Sequence, residues 1–182
     1  AFHIYLRTAD GSDTHWVYEL ATESFWPMRL QNSHSPRVVC RHRGELLLGG
    51  SDGYVRKVAG DNDDGAAIQS HVAIGPLRLS SPGYFGRILN MHSMLAAGGG
   101  HVNWRIVTGD TAEEAADNAK LAIEAFQAGT SYSSYVKASG NWPSGRAIVV
   151  YPRTRAIWCC IWLQSTEKWA FEGLRMNTEP SG

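Results

Sequence analysis

Residues 156–163, Ala-Ile-Trp-Cys-Cys-Ile-Trp-Leu, run apolar without a break. The run is far shorter than the ~18 apolar residues a membrane-spanning helix needs. Successive side chains of a strand alternate between faces, so an apolar run of this length reads as a strand covered on both sides, which places it at the centre of a sheet. Cys159 and Cys160 then point to opposite faces and cannot clasp one metal, and buried packing is their expected role. Trp158 and Trp162 share one face of the same strand.

One helix is signalled. Thr111 is followed three residues later by Glu114, the capping-box spacing, and Ala115, Ala119, Ala122 and Phe126 recur at helical steps before Gly129. Residues 111–128 should therefore lie on a sheet by their alanine stripe. Glu113 and Asp117 favour the positive end of the helix dipole and need no catalytic explanation.

Everything else reads as short strands divided by turns. Residues 3–7 and 14–20 form an expected hairpin around the turn 9–13, with Trp16, Tyr18 and Leu20 alternating onto one half-buried face. Pro27, among Phe25, Met28 and Leu30, suits an edge or an irregular crossing. Residues 38–40 and 45–48 make two more strands. Residues 46–58 make a hairpin, with Gly49-Gly50-Ser51-Asp52-Gly53 turning between Leu46-Leu47-Leu48 and Tyr54-Val55. Later come extended segments at 66–79, broken at Gly75-Pro76, and at 85–91, then a glycine-rich hairpin loop or bend at 96–100 and a strand at 101–107. A turn at 140–145, a strand at 147–151 and a closing strand at 169–176 follow, with a loose tail from Asn177. The expected class is mostly β with one embedded α-helix. Antiparallel propeller-blade-like hairpins fill residues 1–65, and an α+β or sandwich-like part fills residues 66–182.

The chemistry of the row is sparse. The chain has 182 residues, 17 Lys plus Arg and 17 Asp plus Glu, and so no net charge. That balance disfavours a general or sequence-specific nucleic-acid surface, and no stretch suits a membrane span or a signal segment. Three cysteines give neither a zinc spacing nor an even disulfide framework, which fits a reducing compartment. The row begins at Ala1, which means processing, trimming or a portion of something longer. Asp61, Asp63 and Asp64 are the only metal candidates, but the EF-hand glycine and glutamate positions hold Ala66 and Val72, so a solvated turn is expected there and no metal or cofactor.

Seven histidines, at 3, 15, 34, 42, 71, 92 and 101, form no close ligand motif. Residues 96–100 lack the Gly-Lys-Ser/Thr ending of a phosphate loop, and no Gly-x-Ser-x-Gly elbow occurs. Asp52, Asp64, Glu167 and Glu172 are nominal carboxylates for a glycosidase pair, which needs a separation of roughly 5 to 10 Å. The chain is therefore expected not to be an enzyme. Trp142, Trp158, Trp162 and Trp169, with Arg153 and Arg155 beside them, are the candidate binding or interface residues: tryptophan faces can stack on sugars, and arginines suit an interface rim.

The segment 45–58, with Leu-Leu-Leu-Gly-Gly-Ser-Asp-Gly-Tyr-Val, the Asp-rich turn after it and the strands of 68–79 resemble the carboxyl-terminal region of virion structural proteins of tailed bacteriophages. The closing Trp169-Ala170-Phe171-Glu172 strand is similar too. The resemblance implies a propeller-like or β-rich body, made in the host cytoplasm and incorporated into the virion as part of its neck or tail. It would work through symmetric contacts with itself and other virion proteins. The alternative is a carbohydrate- or receptor-binding module using the late tryptophans.

Overall fold

The computed structural model describes residues 1–7, 9, 13–28, 30, 36–60, 62–144 and 147–181. Asp10, Gly11 and Ser12 of the first expected turn, His34, Asp61 and Gly145 lie outside the described residues. The chain divides into two compact units, Ala1–Ala67 and Ile68–Gly182.

The first unit is built of small antiparallel sheets. β1 (Phe2–Arg7), β2 (Asp13–Glu19) and β3 (Ser24–Met28) form one meander in that order, with Pro27 on its edge strand, where a missing N–H removes no ladder bond. β4 (Pro36–His42), β5 (Glu45–Gly50) and β6 (Val55–Lys57) form a second meander. The expected hairpin is present as β5 and β6. Its turn is held by Gly50 N–H donating to the Tyr54 carbonyl at 3.0 Å and Tyr54 N–H donating to Asp52 Oδ1 at 3.1 Å. The Asp-rich segment folds as a two-stranded hairpin, β7 (Asn62–Asp63) with β8 (Ala66–Ala67). Asp64 and Gly65 turn it, with φ of 51° and 83°, the left-handed pair of a tight hairpin turn.

The second unit is a sandwich carrying the helix on one outer face. One sheet orders β12 (Val136–Trp142), β11 (Val102–Gly109), β15 (Trp158–Ser165) and β9 (Ser70–Arg78). The other centres on β10 (Phe85–Leu95), which pairs with β13 (Ala147–Val150) and β14 (Arg155–Ala156) on one side and with β16 (Phe171–Ser181) on the other. Between the sheets lies a core that includes Ile88, Met91, Ile106, Trp142, Cys159 and Ile161. On the far side of the first sheet, α1 (Ala112–Gln127) lays Ala115, Ala119 and Ala122 against Val107, Cys160 and Trp162. β15 is thus the interior strand, covered on both faces, with Cys159 in one core and Cys160 in the other. The mostly β class with a single helix and several antiparallel sheets is the observed one.

Thr111 caps α1, its Oγ1 accepting from Glu114 N–H at 3.1 Å, while Glu114 Oε2 reaches back to the N–H of Asp110, one residue outside the cap. Alanines suit this contact because they let the helix sit close to the sheet. Gly109 has the same role from the sheet side: a Cβ there would run into the backbone of Ala115.

Several expectations are corrected. On β2 the buried residue is His15, whereas Trp16 and Leu20 are exposed, so the alternating apolar face looks outward. The strand at Gly75-Pro76 is not broken. It continues through a bulge opposite Cys160 with a cis peptide, on the edge of its sheet. Of the two readings of residues 96–100 the bend holds and the hairpin loop does not, because β10 and β11 belong to opposite sheets and the glycines turn the corner between them. Gly140, Asn141 and Trp142 are strand, and Gly140 is glycine because the Trp104 ring covers it, with Cζ2 2.5 Å from where a Cβ would stand. The expected tail is the end of β16, with Thr178 opposite Ile88 and Ser181 opposite Phe85.

Candidate interaction surface

The six residues proposed from sequence do not converge. Trp142 is fully buried between the sheets, its ring 6.4 Å from that of Trp104. Trp162 is fully buried on the helix side, edge-on to Phe126 and Tyr132. Arg105 stands over its ring at 4.3 Å. No sugar ring can reach either tryptophan in this fold. Trp158 is half-buried beside Arg78, and half-buried Trp169 donates from Nε1 to Ser70 Oγ at 2.7 Å. Arg155 lies over the Phe85 ring at 4.5 Å, and Arg153 is exposed in the connection before it.

The nominal carboxylates are committed elsewhere. Asp52 and Asp64 both pair with Arg56, at 2.7 and 3.3 Å, and the hydrogen bond that Arg56 donates to Asp52 is the main reason the guanidinium holds its proton more firmly than usual. Among the described residues no group of three or more His, Cys, Asp and Glu could hold a metal ion, and Asp63 and Asp64 form part of none. A serine, a histidine and a carboxylate do meet at one place. Glu167 accepts from the His101 backbone N–H at 2.8 Å and contacts His101 Nδ1 at 2.7 Å, and these bonds hold its carboxyl below the usual range. Ser165 Oγ, however, donates to the His101 carbonyl at 2.6 Å and accepts from Glu167 N–H at 2.9 Å. The hydroxyl is tied to backbone and is not aimed at the imidazole, so the trio clamps a turn and lacks the nucleophile-to-base bond that acyl transfer uses.

The feature sequence reasoning missed lies in the first unit. Cross-strand register places Phe2 opposite Tyr18 and Tyr18 opposite Phe25. It likewise places Ile4 opposite Trp16 and Trp16 opposite Pro27, and Leu6 opposite Thr14. Paired residues share a face of the sheet, so these eight side chains form one surface, and none carries a charge. Phe2 and Phe25 are each 58% exposed, Leu6 51% and Trp16 36%. With side-chain areas of the usual size, these four leave on the order of 400 Å² of apolar surface in water. Soluble monomers seldom show contiguous apolar patches much larger than that, and such patches are often functional. The opposite face carries Arg7, Asp13 and Glu19 together with a stack of His3, Tyr5 and His15.

The signal was present in the row as matched alternation at 2, 4, 6 and at 16, 18, but alternation cannot tell a core-facing stripe from an interface-facing one. Compared with known protein families, curated proteins and solved structures, the chain matches none.

Proposed function

We propose that this chain is a non-enzymatic structural protein of a tailed-phage particle, part of its neck or tail, that assembles through symmetric β-sheet contacts. The particle assignment rests on the resemblance of residues 45–58 and the segments after it. The assembly assignment rests on one observation about the first unit. Among its described residues only His15 and Leu48 are buried, while an uncharged eight-residue sheet face stands in water. A unit with so little core gains its stability from surfaces outside it. The uncharged face is self-compatible, because two copies can meet without burying an unpaired charge. Face to face, two such patches would bury about 800 Å², less than the ~1,200 Å² at which standard specific interfaces begin. A face that meets its own copy closes a two-fold dimer, weak at that size, and a ring needs a second, different contact on each copy.

Light scattering coupled to size exclusion tests this reading. A discrete oligomer whose population grows with concentration is expected, and a monomer at all concentrations up to the millimolar range would overturn it.

A further inference from the structure

We propose that His3 and His15 form a two-imidazole clip for a borderline divalent cation, with Zn²⁺ as its representative. The site lies on the charged face of the first sheet and is independent of the assembly reading. His3 stands opposite Val17 and His15 opposite Tyr5, so the two histidines are diagonal neighbours on one face of the β1–β2 pair. This brings His3 Nδ1 to 3.0 Å from His15 Nε2, with ring centroids 5.2 Å apart. Two ring nitrogens that close share a single proton or bind a single cation between them. Around tetrahedral zinc, with Zn–N bonds of about 2.0 to 2.1 Å, two imidazole nitrogens lie ~3.3 Å apart, so replacing the proton by the metal widens the gap by about 0.3 Å and swings each ring by ~35°, which turns both lone pairs from the N···N line onto the metal.

The plane of His15 is already fixed. The Tyr5 ring stacks on it at 4.0 Å and 17–34° separate the remaining ring planes of the cluster, so little side-chain entropy is lost when the cation binds. His15 is buried. A neutral imidazole keeps the lone pair that a metal requires. The ligand type selects the cation: two nitrogens suit zinc, nickel or copper, and hard cations that prefer oxygen gain nothing here. Water fills the remaining coordination positions from the side of His3, which is partly exposed.

The test is a ZnCl₂ titration of the full chain by calorimetry, with the histidine ring signals followed by NMR. One saturable equivalent is expected, with the ring signals of His3 and His15 shifting together, and a more than ~10-fold loss of affinity in His3→Gln. His92→Gln and His101→Gln are expected to bind as the parent does. Absence of saturable binding, equal affinity in His3→Gln, or shifts confined to other histidines would each overturn the proposal. The ring shifts are read on the unsubstituted protein, so the test stands even if a variant folds poorly.

Discussion

Phe25→Asp is the sharpest test of the outward-facing sheet. Phe25 sits on edge strand β3 and is 58% exposed, so roughly 120 Å² of its side chain is available to a partner. At about 25 cal/mol per Å², covering that area contributes about 3 kcal/mol for each copy. A two-fold contact uses the residue twice, and half coverage still leaves about 3 kcal/mol for the pair, which is on the order of 100-fold in the dimerisation constant. Burying a carboxylate in its place would add to the loss. Within the monomer the change removes only the tilted ring contact with Tyr18 at 4.7 Å, worth about 0.5 to 1.5 kcal/mol. Sedimentation equilibrium of parent and variant reads the association, which should weaken at least ~100-fold, and urea unfolding of dilute, monomeric protein reads the ring contact, which should cost no more than about 0.5 to 1.5 kcal/mol. Unchanged association in Phe25→Asp, with the parent oligomeric, would show that the face is not the contact.

Three further outcomes follow from the second unit and from the cysteines. Native protein should present one fast-reacting thiol, the exposed Cys40, to a disulfide reagent and three after denaturation, because burial, aided by neighbouring Cys160, pushes the Cys159 thiol up to about 12; two or more fast thiols in the native state would contradict the buried pair. Gly109→Ala should cost about 1 to 3 kcal/mol in urea unfolding, since the new methyl meets the backbone at the start of α1, and an unchanged midpoint would refute that close approach. Trp162→Ala should cost about 3 to 5 kcal/mol, because it empties the space under the helix and removes the ring nearest buried Arg105; a loss under ~1 kcal/mol would mean that the helix layer is not packed as described.

What the row made legible is what is settled locally. The Thr111 and Glu114 cap with its alanine stripe, the Leu46-to-Val58 hairpin and the two-faced run of β15 each depend on side chains within a few residues of one another, and all three are present. What failed depends on partners far away in sequence. Residues 177–181 are polar and carry Pro180, so nothing local marks them as strand. They are strand because β10 supplies Phe85 to Ile88 and Asn90 as partners, and Pro180 is tolerated because β16 has no second neighbour in its sheet. Gly140-Asn141-Trp142 resembles a turn for the same reason, since the glycine is explained only by the Trp104 ring above it. The pairing of His3 with His15 needs only the register of the first hairpin, and a strand-by-strand count of diagonal neighbours would have found it.

The tryptophans show why core and interface are hard to separate in one dimension. Trp142 and Trp162 sit in strands whose sheet is covered by a second sheet on one side and by a helix on the other, and both are buried completely. Trp16 and Trp26 are also strand residues, yet they belong to a three-stranded meander and remain 36% and 53% exposed. Residue type is the same in the two cases, and the difference is whether the chain supplies a covering layer. Trp142 and Trp162 therefore stabilise the second unit from within, whereas Trp16 and Trp26 stay exposed in the first. On the proposed reading, the contact surface is the exposed face of the first unit's sheet.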